Sequence, residues 1–247
     1  MIPNPIPRVL SSMRTHRVRA LLMGGQACVL YGAAEFSRDI DFAIVASAAN
    51  ARALGAALAE LRADVIAVPP FELAHLRRGH AVHFRCGILE AAGFRIDVMS
   101  KMRGVAAFSK LWARRTTVTV ARGVAFDLLS LPDLVQAKKT QRDKDWPMIR
   151  RLVEAHYFEH RAQAKRPHVD FWLRELRTPE LLVAVAAAKP AACRRLARER
   201  KLLTLAARGD HQALSEALDH EERAEREKDR LYWLPLRQEL ERMRHAR

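Results

Sequence analysis

Leu21-Leu22-Met23-Gly24-Gly25-Gln26-Ala27, followed by Ser37-Arg38-Asp39-Ile40-Asp41-Phe42-Ala43-Ile44-Val45, is the stretch from which the fold is read. An apolar run enters a glycine pair and passes directly into a segment of helical spacing, Gln26 to Ala33. Backbone amides exposed at such a turn are able to hold a phosphate, although a glycine pair after an apolar run also makes a plain tight turn. In the second part the period is two, so Asp39 and Asp41 point to one face while Ile40 and Phe42 point to the other. Two carboxylates held side by side repel unless a cation lies between them, and oxygen-only ligands suit Mg²⁺ or Mn²⁺. An unremarkable solvent-facing edge carries the same pattern.

Working outward, Phe94-Arg95-Ile96-Asp97-Val98-Met99 alternates in the same way. Ile96 and Val98 share one face, and Asp97 lies on the other with Arg95 and Met99. If this strand pairs beside the first, three carboxylates converge; taken alone, Asp97 is a solvated strand residue or a partner of Arg95. Ala20 to Met23, Ile40 to Ala46, Val65 to Val68, Val82 to Cys86, Phe94 to Met99 and Thr117 to Val120 are predicted strands, and Asn50 to Leu61 a further helix. From Leu131 onward strand signals vanish, and Pro132, Pro167, Pro179 and Pro190 punctuate a series of helices. The fold class is therefore α/β (α+β), a mixed sheet flanked by helices and followed by an all-helical C-terminal region. We place the division at 1–160 and 161–247. The charged segment from His220 to Arg230 is expected to be an exposed or projecting helix face.

The 247 residues are 49% hydrophobic, which supplies a buried core and excludes intrinsic disorder. Net charge is +15 and is spread along the whole length, which favours a polyanionic partner such as RNA, or an acidic protein, over a small neutral ligand. Cys28, Cys86 and Cys193 form no C-x-x-C pair, which argues against a disulfide framework and for a reducing cytoplasm. No apolar window approaches the length of a membrane span, and no signal-peptide h-region is evident. His75, His80 and His83 lack a zinc-ligand pattern and are expected to be ordinary loop and strand residues. Cys28 is expected to be a small core residue, and the four tryptophans to be packing anchors.

The glycine pair, the Asp-hydrophobic-Asp-hydrophobic strand after 13 intervening residues and the isolated Asp97 on a second strand resemble the DNA polymerase β-like nucleotidyltransferase superfamily. The nearest likeness is to its minimal-nucleotidyltransferase and AbiEii-type toxin relatives. Leu131-Pro132-Asp133-Leu134-Val135-Gln136-Ala137-Lys138-Lys139, with Arg142-Asp143-Lys144-Asp145 after it, is similar to the helix and basic turn that follow the catalytic sheet in those proteins. The likeness covers residues 15–155.

The resemblance implies a nucleotidyltransferase fold that moves NMP from an NTP to a hydroxyl acceptor, RNA (a tRNA end included) or protein, with Mg²⁺ or Mn²⁺. It implies that Asp39, Asp41 and Asp97 are the catalytic and metal-binding carboxylates, and that Gly24, Gly25, Arg38, Lys138 and Arg142 meet the nucleotide. Gln26 stands where the family often carries Ser, so that position offers no hydroxyl to the phosphates. Toxins of this kind work beside an antitoxin partner. The alternative is a non-catalytic nucleic-acid- or partner-binding module on the same scaffold, and the three carboxylates weigh against it.

Overall fold

Alternating side chains build the sheet. In the computed structural model, which describes residues 5–34, 36–120 and 124–246, the strands are β1 (Ala20–Met23), β2 (Asp39–Ile44), β3 (Asp64–Val65), β4 (Val82–Arg85), β5 (Arg95–Met99), β6 (Thr116–Val120) and β7 (Val124–Leu128). They form a seven-stranded sheet of order β3-β4-β5-β2-β1-β7-β6. β2 runs parallel to β5, and β1 parallel to β7; the remaining neighbours are antiparallel. Ile40, Phe42, Leu22, Ile96, Val98 and Phe84 are buried, which fits the apolar positions of the period-two pattern.

Twelve helices are described: α1 (Pro5–Thr15), α2 (Gly24–Leu30), α3 (Ala48–Glu60), α4 (Leu73–Arg78), α5 (Phe108–Ala113), α6 (Leu131–Lys138), α7 (Asp145–His160), α8 (Arg166–Glu175), α9 (Pro179–Ala188), α10 (Pro190–Leu196), α11 (Leu203–Arg208) and α12 (His211–His245). None is long and apolar enough to cross a membrane. The chain is thus a mixed α/β protein, its sheet flanked by helices and followed by a helical C-terminal region.

The elements depart from expectation in several places; α4 and α5, for instance, were not anticipated. Helix α1 was not anticipated, because Pro5 and Pro7 suggest loop; a first helical turn tolerates proline, and Val9, Leu10 and Met13 behind it are buried. β7 was also missed, since its alternation only becomes decisive once Phe126 and Leu128 find the core beside β1 and β6. β3 shrinks to two residues, Asp64–Val65. The division of the chain falls at Ala137/Lys138 rather than at 160, and the end of α12 returns to the first unit: one compact unit holds 34–137 with the N-terminal 30 residues and Tyr232 onward, the other Tyr31–Ala33 and Lys138–Leu231. Contact in space, not the disappearance of strand signals, sets that boundary.

Within the second unit, Arg200 is buried and donates to the carbonyls of Leu173 and Leu176, satisfying the end of α8, while its Nε meets Glu221 at 2.9 Å. The segment 220–230 presents the exposed face that its charge suggested, at Arg223, Glu227, Lys228 and Arg230, and a second face that is not solvated. Asp229 is only 2% exposed and accepts the backbone N–H of Gln141, and Arg226 bonds Asp143 and Glu222. A charged run is therefore partly an internal network, whose partners lie far away in sequence. Cys28, Cys86 and Cys193 are free and buried. Trp146 packs under the Arg177 guanidinium at 4.7 Å.

The same unit holds three imidazoles, His156, His160 and His168, with ring centroids 4.4 to 5.2 Å apart. The Trp172 indole donates to His156 Nδ1, and Lys165 adds its charge beside His168. Burial, then the two neighbouring histidines, lower His156 from 6.5 to about 4. The folded chain keeps this ring neutral where the unfolded chain is protonated, so stability is full above about pH 6.5 and falls as pH drops toward 4. After discounting for solvent screening of a partly exposed ring, His156→Phe is expected to remove about 1–2 kcal/mol of that acid loss. Thermal melts across this window check it; equal pH slopes for both proteins would refute the assignment.

Candidate functional site

The β2/β5 register sets Asp41 beside Asp97 and Asp39 beside Arg95, and the β4/β5 register sets His83 beside Asp97. Registered neighbours project to the same face, so all five side chains rise from one patch of the sheet. The convergence expected from the sequence is present at the level of the strands: Asp39, Asp41 and Asp97 share a face on adjacent strands.

Their chemistry differs. Asp97 is 6% exposed, not solvated, and its carboxylate is gripped by Arg95, Nη2 to Oδ2 at 2.6 Å and Nε to Oδ1 at 2.8 Å. His83 Nδ1 meets Oδ1 at 2.8 Å. Burial raises the Asp97 pKa, but the His83 and Arg95 hydrogen bonds outweigh it and the net shift is downward. Arg95 is pushed up chiefly by its hydrogen bond to Asp97, with Asp39 and Asp41 adding their charge. The guanidinium is therefore the counter-ion of the whole acidic patch. Asp39 and Asp41 are each half-buried.

Gly24 adopts φ +66°, and a Cβ built there would stand 1.8 Å from Asp41 Oδ2 and 2.8 Å from Asp41 Cβ. The same construction at Gly25 meets Ser37 Oγ at 2.6 Å. The glycine pair thus lets Asp41 and Ser37 press against the turn, a packing role the sequence reading did not contain. Ser37 Oγ donates to the Asp39 carbonyl at 3.0 Å and to its Oδ1 at 3.1 Å, steadying that carboxylate. Sequence reasoning missed Ser37; its place two residues before the first aspartate was the available signal.

Three further candidates remain, Arg38, Lys138 and Arg142. Arg38 is exposed. Lys138 Nζ lies 2.9 Å from Asp145 Oδ1, and Arg142 Nε 2.7 Å from Oδ2, so both cations assigned to the nucleotide by resemblance engage one buried carboxylate of the second unit. Burial raises the Asp145 pKa; Lys138, Thr140 and Arg142 overcome it and hold it low.

Two half-buried, adjacent carboxylates on one strand are a donor set that fits a hard divalent cation, with Asp97 available only if Arg95 releases it. Among the described residues, the group whose ligand atoms all lie within 4.8 Å of one another is His75, His80 and Glu239; the three aspartates are not such a group. The sequence around these histidines has no zinc-ligand pattern, and Glu239 lies 159 positions from His80. No protein-family model matches the chain, and no curated protein matches it.

Proposed function

We propose that the chain is a metal-dependent nucleotidyltransferase acting on a hydroxyl of RNA. The observation that carries this reading is the Asp39-x-Asp41 pair set beside Asp97 by strand register, with Gly24 pressed against Asp41. A bound Mg²⁺ or Mn²⁺ would polarise the phosphate and lower the pKa of the attacking hydroxyl.

Asp39 and Asp41 supply the ligand oxygens, and Ser37 keeps Asp39 from rotating away. Arg95 supplies positive charge beside the patch and screens the carboxylates from the incoming triphosphate. In the transfer, the acceptor oxygen forms a bond to the α-phosphorus, the bond to the β-phosphate oxygen breaks, and pyrophosphate leaves. The hydroxyl proton passes to solvent or to Asp97, which becomes an acceptor when Arg95 swings to the phosphates. The net charge of +15 supports RNA as the acceptor, because phosphates provide sequence-independent affinity.

The test uses each α-labelled NTP with total RNA and with lysate protein. Label is expected in RNA with Mg²⁺ or Mn²⁺ and in neither pool after chelation. Label confined to protein would replace the acceptor, and no transfer from any NTP with either metal would sink the enzyme reading.

A further inference from the structure

Helix α4 ends at Gly79, and the backbone N–H of His80 donates to the His75 carbonyl at 3.1 Å, folding the two imidazoles edge to face with centroids 5.8 Å apart. The end of α12, in the same compact unit, brings in Glu239, whose Oε2 lies 2.8 Å from His80 Nε2. His75 and His80 are both buried, and His80 is 1% exposed. Its Nδ1 is buried with no hydrogen-bond partner, a rare condition for an imidazole nitrogen.

Arg78 completes the cluster. Its Nη2 stands 2.6 Å from His75 Nδ1 and 3.0 Å from Glu239 Oε1. A guanidinium only donates, so the His75 nitrogen facing it presents a lone pair. An imidazole lone pair and a carboxylate therefore converge on one positive charge. That charge is on a side chain 47% exposed, with solvent to move into.

We propose that His75, His80 and Glu239 form a binding site for a borderline divalent transition cation of the Zn²⁺ class, and that the Arg78 guanidinium holds its place until the metal displaces it. Two imidazoles, one carboxylate and a water make the four-coordinate shell such ions adopt. The donor set separates this site from the aspartate patch, since imidazole nitrogen favours Zn²⁺, Co²⁺ or Ni²⁺ and carboxylate oxygen alone favours Mg²⁺ or Mn²⁺. The site is independent of the transfer reading. Binding would cross-link α4 to the end of α12 across 159 residues, so the metal stabilises the folded chain by mass action.

The experiment titrates tag-free full-length protein with Zn²⁺ by calorimetry, with Co²⁺ absorption as a second probe. One equivalent is expected to bind and to raise Tm by about 5 °C at a hundredfold excess over Kd. His80→Ala and Glu239→Gln are each expected to weaken binding at least about tenfold. Arg78→Gln strengthens it by removing the competing cation, and Asp39→Asn with Asp41→Asn leaves it unchanged. Should His80→Ala fail to fold, Glu239→Gln and Arg78→Gln still decide. Absence of Zn²⁺ binding, unchanged binding in Glu239→Gln, weaker binding in Arg78→Gln, or loss of binding in the aspartate variant each overturns the proposal.

Discussion

Replacing Asp39 and Asp41 together by asparagine is expected to abolish label transfer while leaving the melting temperature close to that of the parent. Both side chains are half-buried on one strand face, and asparagine keeps their shape and the acceptor oxygen that Ser37 bonds. What disappears is the paired negative charge. Cation-assisted phosphoryl chemistry draws several kcal/mol from such a site, so a loss of about 10³-fold or more follows. The fold changes little, because the asparagines keep the size of both side chains and Arg95 keeps its paired hydrogen bonds to Asp97. Transfer retained within tenfold of the parent would remove these residues from the chemistry. A large fall in Tm would make them structural.

Gly24→Ala is expected to damage both stability and activity. The left-handed backbone at φ +66° is strained for any residue with a Cβ, which costs about 1–3 kcal/mol. The new methyl also overlaps Asp41: the carboxylate oxygen can rotate away, but the Asp41 Cβ at 2.8 Å moves only with its strand. A displacement of this size at a reacting centre costs about 10²-fold in rate. Gly93→Ala separates the two effects, since Gly93 also has positive φ, +75°, yet nothing lies within 4 Å of its would-be Cβ. Activity and stability assays on both variants check this; equal activity in the two would mean that contact with Asp41 is irrelevant to function.

Much of the sheet was legible because burial acts residue by residue on a period-two chain. Ile40 and Phe42 inward with Asp39 and Asp41 outward needed no knowledge of neighbours, and the same holds for Ile96 and Val98. The pairing of Asp97 with Arg95 was open to view as well, since residues two apart on a strand share a face. His83 was not, because its contact with Asp97 depends on the antiparallel register of β4 with β5. Lys138 and Arg142 carried a nucleotide role by resemblance, and the buried Asp145 between them was visible only as one more charge in a basic turn.

By itself, the order of residues determined most of the strands, though not β7, which face of β2 is acidic, and that the chain turns helical after Leu131, all properties set by local spacing and solvent preference. Tertiary structure alone decided that Asp97 is buried against His83, that the glycine pair makes room for Asp41 and Ser37, and that Glu239 meets two histidines. Those outcomes depend on which charges and atoms come within a few ångströms after long loops close.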